Sequence, residues 1–244
     1  MPTKRPFIWG HRGASGYEPE NTMRSFRKAL ELGADGVETD AFCTADDQVI
    51  LSHDGVLNRN GGKVPIRALS LAEMKEDPEG QLIPTFAELL AEFQPRKVPI
   101  SVDVRDLKTI RELIKILDAR HALDVVEVCV DVERYVKKMR ELSNDVIIIF
   151  SPSVAWPLQG VIDLLRKNLM FFEENRVKAV NFSWRFYITH PTLLSIVHQE
   201  GHLLAYAWDV HQKNVIQKVV PLGLDALYTN YPDRVRNSFD ALDH

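Results

Sequence analysis

A (β/α)₈ barrel of the TIM type, with a hairpin and a small insertion after its second strand, is the fold class this sequence predicts. Short β-rich runs fall at 7–10, 35–40, 98–104, 125–130, 146–150, 179–182, 203–208 and 226–229, with helical patterns between most of them, at 22–32, 108–119, 132–142, 158–171, 192–200 and 212–220. Strands alternating with helices in this way close into a parallel barrel, and such barrels carry their active sites at the C-terminal ends of the strands. The residues best suited to chemistry fall at those ends.

The first run, Phe7-Ile8-Trp9, leads directly into His11-Arg12-Gly13, so His11 and Arg12 are expected at the top of strand one. Glu38 and Asp40 alternate along the second. Residues two apart on a strand project to one face, so the two carboxylates can meet one hard cation, Mg²⁺ or Ca²⁺. After them, 41–45 runs into the polar turn Asp46-Asp47-Gln48 and then Val49-Ile50-Leu51, a strand folding back as a hairpin. That return carries His53 toward Glu38 and Asp40. Phosphodiester cleavage needs a base for the attacking hydroxyl, an acid for the leaving alkoxide and positive charge at the phosphoryl oxygens. His11, His53, a cation and Arg12 meet those needs.

The stretch 55–81 is too long for a simple strand-to-helix loop. Within it 57–62 reads as turns, and Ser70-Leu71-Ala72-Glu73 reads as a helix N-cap with a capping-box glutamate. Trp156 after strand five and Trp184, Phe186 and Tyr187 after strand six are expected near the catalytic mouth, where they either seal the barrel top or meet a choline-like cation or an acyl chain. His121, His190, His198, His202 and His244 fall away from strand C-termini. Only His211 joins the rim.

Taken together, HRG at 11–13, PENT at 19–22, a helix with Phe26 and Ala29, GxDxxExD at 33–40 and HD at 53–54 resemble the glycerophosphodiester phosphodiesterase family. Pro84-Thr85-Phe86, Gly201, Trp208, Gly223-Leu224-Asp225 and Thr229-Asn230-Tyr231-Pro232 extend the likeness over nearly the whole chain. The resemblance implies metal-dependent hydrolysis of glycerophosphodiesters to glycerol 3-phosphate and an alcohol, through a cyclic phosphate formed by a neighbouring glycerol hydroxyl. It implies His11 and His53 as the acid and base pair, Glu38, Asp40 and Asp103 as metal ligands, and Arg12, Arg105 and Trp208 as substrate contacts. The insertion is then the element that helps admit glycerol, with Arg59 either touching substrate or holding the insertion together. Related enzymes that cleave lysophospholipids keep the same fold and chemistry, and a phosphodiester-binding barrel without turnover is a further alternative.

Departures from the family pattern sit beside this likeness. Where the family has a glutamate and a lysine two apart on strand three, this chain has Asp103 and Arg105. Aspartate is one methylene shorter, and arginine replaces a point ammonium by a planar fork suited to phosphate. Asp103 therefore ligates directly, ligates through water, or pairs with Arg105 inside the mouth. The family's WTVN is Trp208-Asp209-Val210-His211 here, and its TDyP has Asn230 for the aspartate.

Composition narrows the class. A formal charge of −4 and a pI near 6.1 oppose a basic nucleic-acid surface, and 134–138 reads as a solvated helix face. Cys43 and Cys129 are too few for a disulfide framework. The start, MPTKRPFIWGH, has no apolar run of signal-peptide length, so a cytoplasmic protein is expected. The expected organisation is one domain over 1–244, with its insertion at about 41–85. A small-molecule diester or lysophospholipid is the expected partner.

Overall fold

In the computed structural model, residues 5–59, 62–152 and 159–241 are described. The chain opens with β1 (Phe7–Gly10), α1 (Met23–Glu31), β2 (Gly36–Cys43) and β3 (Val49–Leu51). The insertion adds β4 (Val56–Arg59), β5 (Gly62–Pro65), α2 (Leu71–Lys75) and α3 (Pro78–Leu82), and α4 (Phe86–Phe93) leads back to the barrel. There follow β6 (Ile100–Val104), α5 (Leu107–Arg120), β7 (Val126–Val130), α6 (Glu133–Leu142), β8 (Ile147–Phe150), α7 (Val161–Glu174) and β9 (Val177–Ser183). The chain ends with α8 (Trp184–Thr189), α9 (Leu193–Ser195), β10 (Leu204–Trp208), α10 (Lys213–Val219), β11 (Ala226–Thr229) and α11 (Pro232–Asp240).

The eight strands β1, β2, β6, β7, β8, β9, β10 and β11 form a closed parallel (β/α)₈ barrel, because β1 pairs in parallel with both β11 and β2. All eight predicted strands are present. The predicted hairpin is present too, with β3 antiparallel to β2 and Leu51 opposite Ala41. Inside the barrel, Trp9, Ile149, Tyr206 and Tyr228 fill the centre, and Trp9 stacks on Tyr228 at 5.9 Å across the closing seam. Outside, the apolar faces of the helices bury the other side of the strands.

Local chemistry sets the elements that lead to the site. Thr22 caps α1, its hydroxyl accepting the Ser25 N–H. The helix turns Ser25, Phe26 and Ala29 inward, and a Cβ at Gly10 would stand 2.6 Å from the Ala29 Cβ, so this small pair lets α1 lie against β1. The Ser70–Glu73 capping box forms as expected, and Thr85 with Glu88 forms a second.

Some expectations are corrected. Residues 57–59 and 62 are not turns but parts of β4 and β5, paired antiparallel with Leu57 opposite Val64; residues 60–61 lie outside the described residues. Polar Asn58 and Arg59 look turn-like, yet Leu57 just before them packs with Ile50, Ile66 and Met74 in a small separate core. In 134–138, Tyr135 and Val136 are buried against the barrel and the Tyr135 hydroxyl donates to the Arg105 carbonyl, so only part of that run is a solvated face. The helix expected at 192–200 is α9 followed by a π-helical turn at Ile196–Glu200, and α8 and α11 had no counterpart in the sequence reading. Among the described residues no helix is long and apolar enough to cross a membrane.

Gly13 (φ +81°) and Gly223 (φ +77°) both adopt left-handed backbone, but a Cβ at Gly13 would meet Ser25 at 2.4 Å whereas one at Gly223 meets nothing within 4 Å. Gly223→Ala is expected to cost about 1 kcal/mol of strain and Gly13→Ala at least about 2–3 kcal/mol, read as Tm losses of roughly 2–4 °C per kcal/mol. Thermal melts of the two variants check this, and equal losses would remove the packing argument.

Candidate active site

A cleft of about 330 Å³ opens at the C-terminal ends of the barrel strands, and His11, Arg12, Glu38, Asp40, His53, Asp103, Arg105 and Trp208 all line it. Parallel pairing of β2 with β6 sets Asp40 level with Asp103, and Glu38 lies two residues below on the same face. One oxygen from each of these three carboxylates lies within 4.8 Å of the others. Glu38 and Asp40 are buried, at 3% exposure each.

Arg12 reaches the cluster through unusual backbone. Its φ is +53°, and the turn it makes with Gly13 aims its N–H at Glu38 Oε2, 2.8 Å away. The guanidinium bonds Glu20 and sets Nε 3.2 Å from Asp40 Oδ2. Asn21, also left-handed at φ +55°, accepts the Thr39 hydroxyl and donates to Asp40 Oδ2. Arg105 is half-exposed, with Nη2 3.7 Å from Asp40 and 3.6 Å from Asp103. The shorter Asp103 thus stands in both the ion pair and the carboxylate cluster.

Two guanidiniums against three crowded carboxylates leave negative charge uncompensated. Burial, then Asp40 and Asp103, push Glu38 well above the usual carboxylate range. Burial also raises Asp40, against the opposing pull of Arg12, and pushes Asp103 up to about 6 with Asp40 as the next cause. A hard divalent cation matches this set of oxygen donors and supplies positive charge that favours their ionised forms despite burial, so the cluster can hold one.

The two predicted histidines are tethered differently. Nδ1 of His11 is 2.7 Å from Asn230 Oδ1, and Nε2 lies 3.9 Å from Glu38 Oε2. Burial, and next the Arg12 charge, lower His11 to about 3, so its imidazole is neutral at pH 7. His53 Nδ1 is 2.7 Å from the Asp54 carboxylate. His211 also lines the cleft, stacked on His11 with ring centroids 5.4 Å apart.

Other expectations fall away from the cleft. Arg59 pairs with Glu76 at 3.3 Å instead of reaching the cleft. Of the two expectations for Trp184, Phe186 and Tyr187, packing holds and ligand contact at the cleft does not: they lie on α8 against the core, where Tyr187 is buried with its hydroxyl donating to the Tyr206 carbonyl and Phe186 packs on Phe182. The helical turn directs these rings into the body of the protein. Trp156 and His244 lie outside the described residues. Asp131, Ser151 and Asn181 line the cleft without having been singled out by their sequence context. Asn21 carried a signal, as the asparagine of PENT.

A parallel barrel with clustered carboxylates, histidines and arginines at its C-terminal mouth has the equipment of a phosphoric diester hydrolase, and comparison with known proteins agrees. The model of the glycerophosphoryl diester phosphodiesterase family matches residues 11–234, and the chain belongs to that family. It is an enzyme of the phosphoric diester hydrolase class. A glycerophosphodiester phosphodiesterase of Caldanaerobacter subterraneus is 23% identical over 96% of this chain and 97% of its own. A human lysophospholipase D is 24% identical over 93% of this chain and 84% of its own. Among solved structures, an Oleispira antarctica phosphodiesterase in complex with the product sn-glycerol-3-phosphate superposes with a TM-score of 0.81 at 22% identity, covering 97% of each chain.

The raised carboxylates predict a pH signature. Asp103 holds its proton up to about pH 6 in the folded protein, against an unfolded value of about 3.9. Between those values the folded state binds more protons than the unfolded one, so this group's contribution to stability falls as pH rises. After chelation, Tm is expected to drop between about pH 4.5 and pH 7 by the equivalent of about 1–2 kcal/mol more in the wild type than in Asp103→Asn. Melting curves across that range check it, and parallel profiles for the two proteins would refute it.

Proposed function

We propose that this protein hydrolyses glycerophosphodiesters to glycerol 3-phosphate and an alcohol, with a divalent cation, Mg²⁺ or Ca²⁺, held by Glu38, Asp40 and Asp103. The observation that carries the reading is the carboxylate cluster sharing one cleft with His11 and His53. When bound, the cation supplies positive charge to a phosphoryl oxygen.

The chain's own groups do the rest. Arg12 and Arg105 add charge at the phosphoryl oxygens. His11 takes the proton from the attacking glycerol hydroxyl or water, since burial keeps its ring neutral and the amide oxygen on Nδ1 leaves Nε2 free to accept. As the new P–O bond forms, the bond to the leaving alcohol breaks, and His53, working against the Asp54 carboxylate, gives that alcohol its proton. Attack by the glycerol hydroxyl gives a cyclic phosphate that water then opens, the histidines exchanging roles. Trp208 supplies an apolar wall for the substrate. The insertion at about 41–85 works with the barrel as one domain, joined to it by the antiparallel pairing of β3 with β2.

Phosphorus NMR with glycerophosphocholine, glycerophosphoethanolamine and a lysophospholipid, each with Mg²⁺, Ca²⁺ or EDTA, tests this. Loss of the glycerophosphodiester signals should require the cation, and His11→Ala and His53→Ala should each lower kcat by roughly 10²–10⁴-fold. Faster turnover of the lysophospholipid would transfer the reading to the activity in the human relative's name. Undiminished turnover in EDTA and in both variants would reject it.

A further inference from the structure

We infer that His211 and Asp209 form a positioning pair that holds the Asn230 backbone and, through the Asn230 side chain, sets the orientation and tautomer of His11. The inference deepens the proposed hydrolase reading and rests on it for its catalytic consequence.

The hydrogen-bond roles follow in sequence from one end. The Asn230 backbone N–H donates to His211 Nδ1 at 3.0 Å, so that nitrogen is bare and a neutral His211 carries its proton on Nε2. Nε2 lies 3.3 Å from Asp209 Oδ1, and Asp209 Oδ2 accepts from Arg185 at 3.2 Å. On the other side, Asn230 Oδ1 stands 2.7 Å from His11 Nδ1. An amide oxygen only accepts, so His11 bears its proton on Nδ1 and keeps the Nε2 lone pair on the side of Glu38.

Two further features support a built arrangement over incidental loop packing. Asp209 holds φ +67°, a left-handed conformation unfavourable for a non-glycine residue, at the position from which its carboxylate meets His211. The His211 ring also stacks on His11, limiting how far the latter can turn. His211 is thereby a positioning residue, acting on the reaction through Asn230. Loss of comparable supporting bonds lowers activity by about 10–100-fold.

The test joins kinetics with nitrogen NMR on the full chain. In ¹⁵N–¹H spectra of the wild type near pH 7, with signals assigned by single His substitutions, His11 should show the Nδ1–H tautomer and His211 the Nε2–H tautomer. The opposite tautomer at either ring of the wild type overturns the inference. With glycerophosphoethanolamine as substrate, His211→Phe keeps a ring without the acceptor and should lower kcat about 10–100-fold with KM nearly unchanged. His211→Asn, whose Oδ1 replaces the lost acceptor, should recover most of that loss. Asn230→Leu should match His211→Phe, and the double variant should be no worse than Asn230→Leu alone. Multiplicative losses in the double variant, or His211→Phe within about threefold of an active wild type, overturn the inference. A wild type inactive on every diester would instead remove the hydrolase reading, leaving the tautomers to judge the network.

Discussion

Three carboxylates drawn together at one end of a barrel and largely removed from water are the constraint to which the rest of this molecule answers. Burial is the first cause of the raised proton affinities of Glu38, Asp40 and Asp103, and at Glu38 and Asp103 the neighbouring carboxylates add to it. Arg12 is held in left-handed backbone so that its N–H meets Glu38 while its guanidinium approaches Asp40. Gly13 and Asn21 make that turn possible, and Ser25 on α1 closes it by donating to the Arg12 carbonyl. A phosphodiester, itself an anion, would be repelled by this cluster unless cationic charge stood in front of it.

Barrel closure brings the side chains of the cleft together from distant parts of the chain. His11 follows β1 and Asn230 follows β11, 219 residues apart, and they meet because these two strands pair in parallel at the seam where Trp9 stacks on Tyr228. His53 comes by a different route, along the β2–β3 hairpin, and brings its own carboxylate in Asp54. One histidine is therefore tied to the scaffold by an amide and the other to a neighbour by a carboxylate. This asymmetry separates two otherwise similar imidazoles.

The cleft's walls combine charged and polar side chains with apolar surface from Val104, Val130, Pro152 and Trp208. Among the described residues, Trp208 and Tyr228 are the aromatic rings lining it, and the rings of α8 contribute to packing instead. Asp131 and Asn181 each keep a buried side-chain oxygen without a hydrogen-bond partner beside this space. Those two oxygens suit a ligand that brings hydrogen-bond donors.

Much of the barrel could be read from local sequence because each strand is a contiguous run and each helix a contiguous period. Glu38 and Asp40 were readable as a pair because alternation on one strand is enough to place them on one face, and His53 because a polar turn between two short apolar runs implies a hairpin. Local pattern misled where packing outvoted it, as Leu57 drew 57–59 into a strand, and it left open whether Trp184, Phe186 and Tyr187 pack or meet a ligand until α8 set them against the core. The bond from Asn230 to His11, the His211 and Asp209 pair behind it, and the level placement of Asp40 with Asp103 depend on strand register and barrel closure. Those are relations between segments far apart in the chain, and no local run of residues encodes which of them will meet.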